Sequence, residues 1–405
     1  LIFKLYTLNI VGGKYMSRNF LKMAETMKSE LVGIRRDLHM HPELGYEEKR
    51  TSGKIKEFLK SLGIEYRETA GTGVCAIIRG NGDKTIGIRA DMDALPLQDK
   101  KNTVYSSKVT GKMHACGHDA HTTILLGVAK ILNGIKDELT GNVKLFFEPA
   151  EETTGGAKVM IKEGVLENPH VDRIIGLHVE ENIEVGNIGL KFGVVNAASN
   201  PFSIKIKGVG SHGARPNMGI DPVVMASHVV LALQEIISRE LPPVDPAVIT
   251  IGTIHGGTAS NIIPDEVTIS GIIRTMKTEH RSYVKKRLVE ITEGIVGSMR
   301  GKCKIDIDES YPCLYNDDNA AKAILKAAQQ VIGNDHVKIL ENPSMGVESF
   351  AYFSMEKPSA FYYLGCRNEG KNIIHPAHGN LFDIDEDCLP IGVAIQCQTA
   401  YDFLK

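Results

Sequence analysis

The sequence predicts an α/β protein in which a mostly parallel sheet, flanked by helices, is interrupted by a smaller inserted domain of ferredoxin-like α+β order. Three observations carry this prediction. Strand-like and helix-like patterns alternate between residues 73 and 179, the order that builds parallel βαβ units. Near Asn200 the texture changes to a β-α-β-β-α-β succession. From about Tyr311 the α/β texture returns and runs to the C-terminus. A chain of 405 residues is long enough for two such domains with an ample core.

The elements follow in order. The opening "LIFKLYTLNIVGGKYM" is apolar, but its run is short, broken by Lys4, and lacks a basic start and a small-residue cleavage site. Residues 1–15 are therefore expected to be an upstream extension before a natural start at Met16. Residues 18–38 carry a helical spacing (Leu21, Met27, Leu31, Ile34, Leu38), and residues 47–62 repeat it before stopping at Gly63. "GVCAIIR" and "TIGIRA" read as strands around a "GNGDK" turn. A helix is expected from His118 to about Ile135, then the strand "NVKLFFE", a helix through "AKVMIKEG" and the strand "DRIIGLHV". In the insert, "PFSIKIKG", "AVITIGTI", "EVTISGIIRTM" and "CKIDIDE" read as strands, with helices at "DPVVMASHVVLALQEIIS" and "HRSYVKKRLVEITEGIVGSM". The resulting division is 16–198 and 311–405 for the larger domain and 199–310 for the insert.

Composition excludes several classes. Lys plus Arg (47) nearly balances Asp plus Glu (49), so charge implies no nucleic-acid or other polyanionic partner. Beyond the opening, no apolar run approaches the ~20 residues of a membrane span. Seven cysteines, at 75, 116, 303, 313, 366, 388 and 397, are odd in number and follow no repeating frame. That argues against a disulfide scaffold and for a reducing compartment, the cytoplasm.

The chemistry-bearing residues gather where a parallel sheet presents ligands, beyond the carboxyl ends of its strands. Asp91 and Asp93 follow "TIGIRA", Glu151 and Glu152 follow "NVKLFFEPA", and His178 ends "DRIIGLH". The loop "GKMHACGHDAHTT" adds His114, Cys116, His118, Asp119 and His121. Imidazole, thiolate and carboxylate together suit zinc or another first-row divalent ion such as manganese, cobalt or nickel. Two ions would account for the number of donors. Taken singly, each residue also has a plainer reading. His114 and His121 read as surface or capping histidines, Asp119 as a helix-dipole partner, the Glu pair as a solvated helix start and Cys116 as an apolar filler. Their co-location at strand ends argues against those readings.

The segments "RRDLHMHPELGYEE", "IRADMDALP", "GKMHACGHDAHT", "FFEPAEE", "GLHV", "GVGSHGARP", "ASNIIPD" and "HGNLFDIDED" occur in this order. Together they resemble bacterial and plant amidohydrolases related to hippurate hydrolase, N-acetyldiaminopimelate deacetylase and indole-acetyl-amino-acid hydrolase, a branch of the aminoacylase and carboxypeptidase superfamily. The resemblance implies a two-metal catalytic domain and a lid domain that forms a homodimer. It implies Cys116, His118, Glu152, His178 and His378 as metal ligands, with Cys116 between the ions, and Glu151 as general base. His375 competes with His378, which has the family's offset to Phe382 and the acidic run. Asp91 resembles the acidic residue that orients a ligand from behind, while Asp93 has no clear part.

"GVGSHGARP" also satisfies a Gly-x-Gly-x-x-Gly nucleotide pattern, but Pro216 and the loop through Gly219 delay the helix, and no strand ending in an acidic residue follows. By resemblance, His212 instead polarises the scissile carbonyl across the dimer. Asn261 and Arg274 contact the substrate carboxylate. One departure is Ser349, where relatives carry an acidic residue. The implied activity is metal-dependent hydrolysis of N-acyl amino acids, a small-molecule substrate class, to a carboxylic acid and a free amino acid by metal-activated water. The competing readings are a dipeptidase or carboxypeptidase on the same scaffold and a non-catalytic metal-binding protein.

Overall fold

A computed structural model describes residues 18–405; the expected extension at 1–15 and the start at Met16 lie outside the described residues. The chain forms two compact units. One comprises the chain up to Gly193, Tyr315–Asn342 and Tyr352–Lys405, and the other Val194–Leu314 and Pro343–Ala351. The stretch Pro343–Ala351, read from sequence as part of the larger domain, belongs to the second unit. Ala197 N–H donates to the carbonyls of Ser344 and Gly346, and Ser344 N–H donates to Val195 O.

The first unit opens with α1 (Phe20–Thr26) and α2 (Lys28–Met40) in place of one expected helix. The break falls at Met27, whose N–H turns back to Ala24 O at 3.0 Å, and Phe20, Ala24, Met27 and Leu31 keep one helical face that reaches the core. Next come α3 (Lys49–Ser61), β1 (Glu65–Thr69), β2 (Gly73–Ile78), β3 (Thr85–Asp91), α4 (His118–Gly134), β4 (Asn142–Glu148), α5 (Gly156–Lys162), β5 (Arg173–Glu184) and β6 (Ile188–Leu190). Through β7 (Gly193–Asn196) the chain enters the second unit, with β8 (Ala198–Lys207), β9 (Ser211–His212), α6 (Pro222–Glu235), β10 (Ala247–Gly256), β11 (Ile262–Ile263), β12 (Glu266–Thr275), α7 (Thr278–Ser298) and β13 (Lys302–Ile307). After β14 (Leu314–Asn316) follow α8 (Asp318–Ile332), β15 (Val337–Ile339), α9 (Phe350–Glu356), β16 (Ser359–Arg367) and α10 (Cys388–Leu404).

The first unit is built on an eight-stranded sheet of order β1-β2-β4-β3-β5-β16-β6-β15. Its four central strands, β4, β3, β5 and β16, run parallel. Buried on both faces, β3 and β4 are covered along their whole length, which is why "TIGIRAD" and "NVKLFFE" do not alternate cleanly between apolar and polar residues. Helix α4 is buried almost throughout and packs against α2 and α10. Parallel strands end on one rim, so this topology brings the ends of β3 and β4, the outer part of β5 and the start of α4 together.

The second unit is an antiparallel sheet of order β10-β12-β8-β13 with helices α6 and α7 packed against it. This is the β-α-β-β-α-β order expected for the insert. Asp221 caps α6 by accepting from Val223 and Val224 N–H, and Pro222 occupies the first helical turn. Its core comprises Ile204, Ile206, Val229, Leu233, Ile269 and Leu288. Among the described residues no helix is long and apolar enough to cross a membrane.

Ile124, fully buried in α4, ties that helix into the core. Its truncation to Ala is expected to lower unfolding stability by about 2–5 kcal/mol, measured by urea denaturation.

Candidate metal centre

The loop before α4 is shaped by Gly117. Its φ is +87°, and a Cβ there would lie 2.2 Å from Val179 Cγ2, so glycine alone lets the loop close onto β5. This places Cys116 Sγ 3.3 Å from His178 Nε2. His178 Nδ1–H donates to Val179 O at 2.6 Å, which leaves Nε2 to face the thiol. On the next residue of the loop's exit, His118 turns Nδ1 to Asp93 Oδ1 at 3.2 Å, and its buried Nε2 has no hydrogen-bond partner.

The Glu pair is set by a strained turn. Ala150 has φ +54°, a conformation costing about 1–3 kcal/mol for a residue with a side chain. It is held there by its N–H, which donates to Glu48 Oε1 at 2.8 Å. Glu151 and Glu152 then donate their own N–H groups to the two oxygens of Asp93, each at 3.0 Å. His378 also has a left-handed backbone, φ +61°, and its N–H donates to Ala115 O at 2.7 Å, beside Cys116. Its Nε2 lies 3.3 Å from Glu152 Oε1.

Among the described residues four sets of donors result, each with its candidate ligand atoms within 4.8 Å of one another: Cys116, His118 and His178; Asp91, His118 and His121; Cys116, Glu152 and His378; and His118, Glu151 and Glu152. Cys116 belongs to two of them, and His375 belongs to none. Burial pushes the Cys116 thiol well up, and Glu152 adds to the effect. Burial opposes a charged His118, but Asp91 and Asp93 outweigh it and draw the imidazole well above its ordinary value. Burial likewise opposes the Glu152 carboxylate, which His378 and His118 nevertheless hold down. A divalent cation reverses the thiol's preference, because thiolate is the coordinating form.

The family model for "Peptidase family M20/M25/M40" matches residues 87–402 of the chain. This protein belongs to that family. N-acetyl-L-cysteine deacetylase of Bacillus subtilis is 40% identical over 367 residues, 90% of this chain and 86% of the relative. IAA-amino acid hydrolase ILR1-like 4 of Arabidopsis thaliana is 38% identical over 379 residues, 92% of this chain and 86% of the relative. The crystal structure of a Bacillus subtilis protein, described as a dinuclear metal binding peptidase from the M20 family, superposes with a TM-score of 0.80 at 33% identity, covering 94% of this chain and 99% of that one. As an M20 member, the protein is a metal-dependent amidohydrolase.

The residues present fit a divalent ion. The mixed thiolate, imidazole and carboxylate set has the donor chemistry of first-row metals. Two atoms inside the cluster, His118 Nε2 and Glu152 Oε1, are buried without a hydrogen-bond partner, an arrangement expensive for polar atoms unless something else engages them.

Around this M20 cluster the two aspartates take different partners. Asp91 is not hydrogen-bonded to His118, whose Nε2 lies 3.7 Å away. Its carboxylate is held by Arg89 Nη1 at 2.7 Å and by His121 Nδ1 at 2.6 Å. The group that orients His118 is Asp93, because the next residue with the same facing along the chain reaches Nδ1 on the side away from the donors. His121 and His114, which singly read as surface histidines, are both buried. His121 Nε2 accepts from Val179 N–H at 2.9 Å, a role its three-residue spacing from His118 on one helix face would have suggested. Asp119 does accept from Ala120 N–H at the helix start, but it also pairs with Arg35 at 2.9 Å.

In the second unit, His212 pairs with Ile262 in the short β9–β11 ribbon, and at its end Gly213 N–H donates to Asn261 O at 2.7 Å. His212 Nδ1 accepts from Ala214 N–H at 3.1 Å, leaving Nε2–H as an exposed donor. Arg274, on β12, has a buried Nη1 without a hydrogen-bond partner. Ser349 is fully buried.

Asp93→Asn is expected to weaken metal binding about 10–100-fold, read by competition with a chromogenic chelator; unchanged affinity would remove Asp93 from this role. His114 has neither ring nitrogen hydrogen-bonded, and burial pushes its pKa down to about 3 from 6.5. The unfolded chain therefore takes up this proton first, and the stability His114 contributes as a neutral ring falls as pH drops below 6.5. Between about pH 7.5 and about pH 5, urea melts of the metal-free protein should lose about 2 kcal/mol more than those of His114→Phe.

Proposed function

We propose that the protein hydrolyses the amide bond of N-acyl amino acids, releasing a carboxylic acid and a free amino acid. The observation that carries this reading is the sharing of Cys116 between two donor sets, with the adjacent carboxylates of Glu151 and Glu152 beside them. We assign Cys116, His118, Glu152, His178 and His378 as the residues that would hold two divalent ions, zinc, manganese, cobalt or nickel, with Cys116 common to two of the donor sets.

Such ions lower the pKa of a coordinated water to about 7 and polarise a carbonyl oxygen. Glu151 accepts the proton of the attacking water and returns it to the departing amine. Its neighbour Glu152 points its Oε1 towards His118 and His378, so the two carboxylates divide the work: one holds a cation and the other moves a proton. Asp93 keeps that division in register by gripping both backbone N–H groups. His212, with Nε2–H exposed, is assigned as the donor that stabilises the developing oxyanion. Arg274 and Asn261 are assigned to the substrate carboxylate; a guanidinium nitrogen without a partner suits a planar anion.

We assign dimerisation to the second unit. Strand β10 lies at the edge of its sheet, with Val248 and Ile254 exposed, and α6 exposes Val224 and Leu231. An open edge with apolar side chains is a surface that proteins ordinarily cover. The cytoplasm suits a chain whose seven cysteines are all unpaired.

Release of free amine from a panel of N-acetyl and N-benzoyl amino acids and dipeptides, with each metal supplied in turn, tests the reading. Cleavage of acyl amino acids ahead of dipeptides is the expected result, and no amide cleavage across the panel would defeat it. Glu151→Gln is expected to retain bound metal while turnover falls about 10²–10⁴-fold; near-full activity would place the base elsewhere.

A further inference from the structure

The motif "RRDLHMHPE" takes no part in the chemistry above, yet it contributes to a buried charged cluster adjoining the donors. Arg35, on α2, is fully buried. Its Nε donates to Asp119 Oδ2 at 2.9 Å, its Nη2 to Asp383 Oδ1 at 2.8 Å, and its Nη1 lies 3.4 Å from Glu386 Oε1. One turn along the same helix, His39 Nδ1 lies 2.7 Å from Asp119 Oδ2, while its Nε2 meets Lys101 Nζ at 3.0 Å. Lysine only donates, so the ring accepts at Nε2 and donates from Nδ1 to Asp119. Lys101 Nζ also donates to Phe382 O at 2.7 Å, and Tyr105 OH donates to Asp383 Oδ2 at 2.7 Å.

The acids that Arg35 bridges belong to the two segments that carry the cluster's donors. Asp119 directly follows His118, and Asp383 lies five residues beyond His378. A rigid planar fork fixes the separation of its partners in a way that a flexible ammonium does not. Apolar packing would stabilise the same helix contact without the desolvation cost of buried ions. The gain from the ionic arrangement is therefore geometric. The two donor sets also differ in their other supports. His118 and His178 are separately held by Asp93 and by the Val179 carbonyl. His378 has the Ala115 carbonyl and, one residue earlier, a bond from Ala377 N–H to Glu181.

We infer that Arg35, with His39, is a positioning residue that sets the distance between the Cys116–His118 loop and the His378 segment, and so governs the cation held by Cys116, Glu152 and His378 more than the one held by Cys116, His118 and His178. This rests on the two-ion reading above. The test is cobalt(II) titration of the metal-free full chain, comparing the unsubstituted protein with Asp383→Asn and Arg35→Lys after circular dichroism and gel filtration have established folding. The unsubstituted protein should take two equivalents. In both variants one equivalent should bind as before, with its thiolate-to-cobalt absorption intact. The other should bind about 10–100-fold more weakly, with altered d–d bands. Two equivalents bound normally, even with a lowered melting temperature, would reduce the cluster to a structural role and overturn the inference, as would equal loss of both. Fewer than two equivalents in the unsubstituted protein would overturn the two-ion reading and this inference with it. Should Arg35→Lys fail to fold, Asp383→Asn decides alone, since it leaves Arg35 paired with Asp119 and an oxygen for Tyr105.

Discussion

One carboxylate joins three parts of the chain. Asp93 accepts from the N–H groups of Glu151 and Glu152 and from the imidazole of His118, so the exit of β3, the turn after β4 and the start of α4 share a single anchor. In a dry interior such charge-assisted bonds are strong and directional. Removing their acceptor would strand three donors at once. The left-handed backbones of Ala150 and His378 persist because these bonds and their neighbours over-determine them.

Behind this anchor runs a chain of paired buried polar groups. Arg89 bridges Asp91 and Glu148 at 2.7 and 2.6 Å, Asp91 holds His121, and His121 receives the N–H of Val179. His178 then donates to the carbonyl of that same residue. Two histidines thus grip one residue of β5, one from each end of its backbone, and the ring that faces Cys116 gains a fixed tautomer. Arg35 and His39 likewise grip Asp119 at the start of α4, and Arg35 also holds Asp383. Ionic groups buried this deeply are tolerated because they are paired, and what they provide is definition of geometry more than stability.

The same geometry explains how two adjacent glutamates can differ. A one-residue step after a left-handed alanine turns the two side chains to different surroundings. Glu152 meets the imidazoles of His118 and His378, whereas Glu151 joins the set formed with His118 and Glu152 alone. In the second unit the exposed Nε2–H of His212 comes from an equally local cause, a backbone N–H from Ala214 occupying Nδ1. Ser349 sits fully buried beside Glu348, whose Oε1 accepts from Phe350 N–H.

The sequence by itself determined the class of fold and which side chains gather at one rim of the sheet. Period-two and helical patterns are local, and strand ends in a parallel sheet converge on one rim by topology, so Cys116, His118, the Glu pair and His178 were legible without coordinates. The insert's strand and helix order was legible for the same reason. What only the tertiary structure decided was which neighbour holds which group. Asp91 and Asp93 are chemically identical and two residues apart, and nothing local says that Asp93 serves His118 while Asp91 serves His121. Arg35 lies 84 residues from Asp119 and 348 from Asp383, and pairing over such separations depends on how α2 packs, which a pattern along the chain does not encode. The recruitment of Pro343–Ala351 into the second unit has the same origin, long-range hydrogen bonds to Val195 and Ala197, whereas the break at Met27 is a local turn back to Ala24 O.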